Sequence, residues 1–149
     1  MTRAGYYVIA PDLLGHGRAR RGSDYTLAAL VNEFRPYLST TDGNDHPYEI
    51  VIGQSLGGVI AAALLPLLKS TRPVHVVLGD PPLELASEAI VGHKPQFRDR
   101  AANPRAPEVH QQEWPFYTQE DAFFAYVSES LCDPAAVDAI LDVRVDMPF

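Results

Sequence analysis

Three short runs, Tyr6 to Ala10, Glu49 to Gly53 and Val74 to Gly79, are apolar at nearly every position instead of at every second one. Strands buried on both faces read this way, so the pattern predicts a parallel three-strand sheet. Between the first two runs, Leu27, Leu30, Val31, Phe34 and Leu38 fall at i, i+3, i+4, i+7 and i+11. That spacing places one apolar stripe on a helix over Tyr25 to Leu38, with Asp24 or Ser23 as its cap. Between the second and third runs, Leu56 to Lys69 is apolar nearly all round and predicts a buried helix that Pro66 kinks or ends. Strand, helix, strand, helix, strand, joined by right-handed crossovers, is an α/β layered unit with helices flanking the sheet.

After Pro81-Pro82 the strand-like runs largely cease. Leu83 to Ile90, Gln119 to Leu131 and Pro134 to Leu141 predict helices, and Val143-Arg144-Val145 hints at extension. Arg98 to Pro115 holds three prolines and mixed charge and predicts a loop. Trp114, Phe116, Tyr117, Phe123, Phe124 and Tyr126 follow closely on one another. The expected division is an α/β part over residues 1–82 and a helical part over 83–149.

With 149 residues, 46% hydrophobic and 21% charged, the chain has the composition of a globular domain with a real core, which excludes disorder, collagen and coiled coil. The net charge of −7 provides no phosphate-neutralising surface, so neither nucleic acid nor an anionic membrane is an expected partner. Arg18, Arg20 and Arg21 are the one basic cluster. A single cysteine, Cys132, excludes an intrachain disulfide and a cysteine-based zinc site, fits a reducing compartment, and reads as a plain side chain. Met1-Thr2-Arg3-Ala4 leads straight into a strand-like run without the form of a secretory signal, and Val59 to Leu68 is about half the length needed to cross a bilayer. The expectation is a cytoplasmic chain without a membrane span.

Gly53-Gln54-Ser55-Leu56-Gly57 satisfies G-x-S-x-G, and it stands where a strand ends and a helix opens, which is the setting that pattern needs. A serine on so tight a turn calls for small neighbours two residues to either side, so a Cβ at Gly53 or at Gly57 is expected to crowd the backbone. Ser55 Oγ would project above the carboxyl edge of the sheet as a nucleophile, and the Leu56 backbone N–H, at the positive end of the helix, would face a developing oxyanion. The plainer reading is a tight connection or a phosphate-binding glycine turn, but G-x-G-x-x-G and a Walker lysine are both absent.

These residues resemble the α/β-hydrolase superfamily, and the resemblance extends past the serine. Tyr6 to Gly17, with Asp12-Leu13-Leu14-Gly15-His16-Gly17, looks like the family's fourth strand and its D-x-x-G-H-G turn. Val74 to Pro82, ending Leu78-Gly79-Asp80-Pro81-Pro82, looks like the sixth strand and its acidic exit loop. The fold implied is a partial α/β-hydrolase fold, and residues 83–149 resemble the helical cap that many members insert after that strand.

The resemblance makes His16 and Asp12 structural turn residues and not members of the triad. A minority of the superfamily draws its triad acid from the position of Asp80, which makes Asp80 the candidate acid, the alternative being a loop-stabilising aspartate. His75 reads as a packed strand residue, His46 lies in a polar loop, and His93 and His110 lie in the cap-like part. None follows a late strand as the family's catalytic histidine does.

The resemblance also implies a strand between Tyr6–Ala10 and Glu49–Gly53 that these residues do not include. Either the two runs pair directly, or a partner supplies the strand by association at an incomplete sheet edge, or the chain is a fragment of a longer polypeptide, which is the expectation favoured. The function implied is a serine hydrolase acting on an ester or related acyl bond of a small-molecule substrate through an acyl-Ser55 intermediate, with its histidine outside this chain. Serine at the elbow argues against the epoxide hydrolases and dehalogenases, which carry aspartate there, while acyltransferases, haloperoxidase-like enzymes and lyases stay open. The alternative is a noncatalytic protein that binds a small apolar ligand or a partner chain. Neither metal nor organic cofactor is expected, because no ligand cluster is visible and acyl transfer at serine requires none.

Overall fold

The computed structural model describes residues 2–38, 47–69, 72–82 and 87–141. His46, the start of the helix expected at Leu83 and the extension expected at Val143 to Val145 lie outside the described residues. The chain divides into two compact units, one formed by Asp24–Pro95 with Asp138–Phe149, the other by Met1–Ser23 with Gln96–Val137. The N-terminal segment thus groups with helices far along the chain.

In the first unit, α1 (Leu27–Asn32) and α2 (Arg35–Leu38) stand where one helix was expected. The break has a sequence cause: Pro36 has no N–H to return to Asn32, so the helix stops and restarts. The cap of α1 is Thr26, whose side chain accepts from the Ala29 N–H, while the Asp24 carboxylate accepts from the Thr26 N–H at 2.9 Å. That backbone bond, with one to the Thr26 hydroxyl, holds Asp24 below its ordinary carboxylate range.

Strand β1 (Ile50–Gln54) leads through one residue into α3 (Leu56–Leu64), which gives way to a 3-10 turn at Leu65–Leu67 around Pro66. Strand β2 (His75–Gly79) pairs parallel with β1, from Ile50 opposite His75 to Gln54 opposite Gly79. Val59, Ile60, Ala61, Ala62 and Leu64 of α3 are buried, as the all-round apolar sequence requires, and α1 packs on α3 with Leu30 buried.

The expected three-strand sheet is corrected here: among the described residues the sheet has two strands. Tyr6–Ala10 lies in no helix or strand, and Tyr7 is 92% exposed. Apolar residues alone do not make a strand, since the segment needs a neighbouring strand to take its backbone hydrogen bonds. Ile50, Ile52 and Val77 are exposed on one face, while on the other Val51 and Val76 are half-buried, Gly53 is buried and Leu78 is partly exposed, so the strands are not buried on both faces as expected.

Helix α4 (Ser87–Ala102) runs through Pro95, where the two units meet in sequence, and continues into the stretch expected to be loop. In the second unit, α5 (Pro107–Glu113) begins with proline at its first position, a place where the missing N–H costs nothing. The prolines of Arg98 to Pro115 thus bound helices instead of excluding them. Helix α6 (Gln119–Ser130) opens on a reciprocal capping box between Thr118 and Asp121, and α7 (Pro134–Leu141) takes the expected bounds. The Thr118 side chain and N–H hold the Asp121 carboxyl below its usual range.

The N-terminal turn is fastened within this unit. Leu14 is buried, Asp133 N–H donates to Gly15 O at 2.8 Å, and Arg21 Nη2 donates to Leu131 O at 2.8 Å. Inside the turn the Asp12 carboxylate accepts from the Arg18 N–H at 2.8 Å, and a Cβ at Gly17, where φ is +53°, would collide with that carboxylate. Asp12 and Gly17 close the D-x-x-G-H-G turn together.

Candidate active site

Ser55 occupies the single residue between β1 and α3, with φ +49° and ψ −121°. A side chain in this region stores about 1–3 kcal/mol of strain, which the surroundings must hold in place. The hold is visible: the Ser55 N–H donates to Gly79 O at 2.8 Å, and its carbonyl accepts from the Gly58 and Val59 N–H groups. The side chain, by contrast, makes no capping bond to the helix it precedes and is exposed.

Two glycines make the turn fit, and they are not quite the expected two. A Cβ at Gly53 would strike the Gly57 carbonyl and come within 2.8 Å of Gly58 Cα. At Gly57 it would meet nothing within 4 Å, so the crowding expected there is absent. The crowded partner is Gly58, whose Cβ would lie 2.8 Å from Pro81 Cβ in the loop after β2. The Gly57-Gly58 doublet carried the signal, but only the packing of Pro81 assigns it to the second glycine.

The first N–H groups of a helix have no intrahelical partner. Those of Leu56 and Gly57 bond to nothing among the described residues, and they open α3 beside the serine. This end of α3 combines unspent donors with the positive end of the helix dipole.

Asp80 leaves β2 as Ser55 leaves β1. Gln54 and Gly79 are partners in the ladder, so both residues emerge from the same carboxyl edge, one strand spacing apart. Asp80 has φ +46° and is exposed. Among described non-glycine residues, these two carry positive φ, and they stand side by side at the edge where α/β sheets place their chemistry.

The histidines stand elsewhere. His75 pairs with Ile50 at the amino end of the sheet, about 13 Å along the strand from Gly79. It is exposed, not packed as expected. His16 lies 3.1 Å through Nδ1 from Leu14 O, within its own turn. His93 is exposed on α4.

His110 is buried in the helical unit, with Nε2 3.3 Å from Glu129 Oε2. Glu129 accepts from the Arg105 N–H at 3.0 Å and lies 3.5 Å from Arg105 Nη2 and 4.0 Å from Arg100 Nε. Glu113 meets Arg105 Nη1 at 2.5 Å. This network joins the end of α4, α5 and α6, and no sequence spacing announces it because its members come from separate segments.

Burial pushes the Cys132 thiol up, against the opposing pull of Arg21, so it stays protonated at neutral pH, in keeping with a plain side chain. Among the described residues no group of three histidine, cysteine or acidic side chains is placed to hold a metal. None of their helices is long and apolar enough to cross a membrane.

A strained serine between a parallel strand and a buried helix, with an aspartate beside it at the same sheet edge, is the arrangement of an α/β protein. The sequence pattern of the alpha/beta hydrolase family matches residues 2–147, and the chain belongs to that family. Two uncharacterized proteins, one from Mycobacterium bovis and one from Mycobacterium tuberculosis, are each 44% identical to it over 57 residues, or 38% of this chain. The aligned stretch spans 16% of the length of each relative. No solved structure matches significantly.

Proposed function

We propose that this chain carries the nucleophile of a serine hydrolase that cleaves an ester or related acyl bond of a small-molecule substrate. The observation that carries the reading is Ser55 itself, a non-glycine residue at φ +49° whose hydroxyl is exposed and not used to cap α3. Strain of this kind persists where the surroundings over-determine it, and here it turns a hydroxyl outward at the carboxyl edge of a sheet. In this reading Gly53-Gln54-Ser55-Leu56-Gly57 is a nucleophile elbow.

Ser55 Oγ attacks the acyl carbon and gives up its proton to a base. The oxyanion that forms accepts from the Leu56 N–H, the leaving group departs with a proton, and water then releases the acyl group from Ser55. Asp80 stands where it can serve as the acid that orients the base. The base is a histidine contributed by a longer polypeptide of which these residues are part. Support comes from the curated relatives, each about six times the length of the stretch they share with this chain.

The test is covalent labelling with an active-site fluorophosphonate, read by intact mass. A phosphonyl adduct on Ser55 that disappears in Ser55→Ala is the expected result, slow on these 149 residues and fast on the polypeptide isolated from its natural source. A folded polypeptide from that source that takes no Ser55-dependent label overturns the catalytic reading in favour of noncatalytic binding.

A further inference from the structure

We infer that Pro81 is a positioning residue for Ser55: seated on Gly58, it clamps the first turn of α3 from outside and holds the serine in its strained conformation. This role rests on the hydrolase reading of Ser55 and adds to it a side chain outside the Gly53-to-Gly57 motif.

A serine at φ +49° relaxes unless the peptide groups on both sides of it are held. On the amino side, the Ser55 N–H donates to Gly79 O at 2.8 Å. On the carboxyl side, the Ser55 carbonyl accepts from the Gly58 N–H at 2.9 Å and from the Val59 N–H at 3.1 Å. Gly79 ends β2, and Gly58 is the position where a Cβ would lie 2.8 Å from Pro81 Cβ and 3.5 Å from Pro81 Cα. Both grips on Ser55 therefore return to one tripeptide, Gly79-Asp80-Pro81, within the same compact unit. The Cβ would also lie 3.2 Å from Gly53 O, so buried Gly58 fits between half-buried Pro81 and the end of β1 with no room for a methyl group.

Proline suits a clamp because its ring fixes its own φ and narrows the conformations open to the residue before it. That residue is Asp80, itself at φ +46°. One ring thus limits both the Gly58 backbone and the candidate acid. Leu56 and Gly57, whose N–H groups bond to nothing among the described residues, lie between Ser55 and Gly58. Displacing Gly58 therefore moves the oxyanion donor as well as the nucleophile. A shift of about 1 Å in such a site is enough to cost up to about a hundredfold in rate.

Fluorophosphonate labelling of Ser55 in the full-length polypeptide, followed to saturation, separates the maximal rate from the half-saturating concentration. Gly58→Ala pushes a methyl group against Pro81 and is expected to lower the maximal rate about tenfold, with little change in the half-saturating concentration. Pro81→Gly removes the brace and is expected to lower it about threefold. Gly58→Ala combined with Pro81→Gly restores the lost Cβ from the other side of the contact. That double variant is expected to return to within about threefold of the unsubstituted polypeptide, where independent effects would multiply to about thirtyfold. Recovery stays incomplete because Gly53 O still crowds the methyl group at 3.2 Å. Pro81→Ala, which keeps the Cβ that meets Gly58, retains more of the rate than Pro81→Gly.

A folded Gly58→Ala polypeptide that labels at the unsubstituted rate overturns the proposal, as do losses that multiply in the double variant. Coupling of the two positions in urea unfolding without coupling in labelling overturns it too, because the contact then serves the fold alone. If Gly58→Ala does not fold, an unchanged maximal rate in Pro81→Gly has the same force. An unsubstituted polypeptide that takes no label removes the hydrolase reading and this role together, whereas a labelled one with any of the preceding results removes this role alone.

Discussion

Two tight turns of this protein handle backbone strain in opposite ways. In the helical unit, the turn from Asp12 to Arg18 puts its positive φ on glycines, Gly15 and Gly17, and plugs the space with the Asp12 carboxylate. At the end of the sheet, the turns after β1 and β2 put positive φ on Ser55 and Asp80 and leave both side chains exposed. Glycine accepts such angles at no steric cost, and a serine does not. The first turn has the chemistry of a fastening. The second holds a costly conformation around a hydroxyl that no fold-stabilising bond uses, which is why it is the candidate site and the glycine turn is not.

The difference is sharpest in labelling. If Ser55 is the nucleophile as proposed, Ser55→Ala is expected to remove the fluorophosphonate adduct altogether, while Asp12→Asn is expected to leave the adduct and lower the melting temperature, because its effect is confined to the turn it closes. An adduct that survives Ser55→Ala would break the contrast.

Next in size is the elbow glycine. Gly53→Ala drives a Cβ into the Gly57 carbonyl and costs about 3 kcal/mol by urea unfolding, or prevents folding. Gly17→Ala combines a left-handed backbone with a collision against Asp12 and costs about 2 kcal/mol, softened because a carboxylate can swing aside. Gly57→Ala, into open space on a helix, gains up to about 1 kcal/mol. Equal losses at Gly53 and Gly57 would mean that the turn is not packed as described.

Strain relief gives a smaller effect of opposite sign: Ser55→Gly is expected to raise stability by about 1 kcal/mol while ending labelling, a trade of stability for reactivity. The smallest effect is electrostatic and belongs to α6. The Asp121 carboxyl is held below its ordinary value by Thr118, so the contribution of this cap is present above the ordinary carboxylate pKa and is lost as pH falls through the lowered folded-state value. Asp121→Asn flattens the acid limb of a pH–stability curve and leaves neutral-pH labelling of Ser55 unchanged.

Much of the sheet unit is legible in residue order because its signals are local. The apolar run Glu49 to Gly53 is offset from β1 by one residue at each end, Val74 to Gly79 exceeds β2 by one residue, and α3 follows from an all-apolar stretch that Pro66 closes. The apolar stripe over Tyr25 to Leu38 argued for one helix and passed over Pro36, at which the helix breaks into α1 and α2. The three prolines between Arg98 and Pro115 misled because proline marks a helix start as readily as a loop.

Residue order alone sufficed for the family, for the serine between strand and helix, and for the aspartate at the end of the next strand, since each depends on neighbours within a few positions. Tertiary structure decided the rest, because the rest depends on atoms brought together from distant positions. Pro81 makes Gly58 the crowded glycine, and Leu131 and Asp133 fasten the N-terminal turn. Arg100, Arg105, His110 and Glu129 meet only when their helices pack. Tyr6–Ala10 has every residue a strand requires, and whether it becomes one depends on a partner's backbone, which no property of those five side chains can supply.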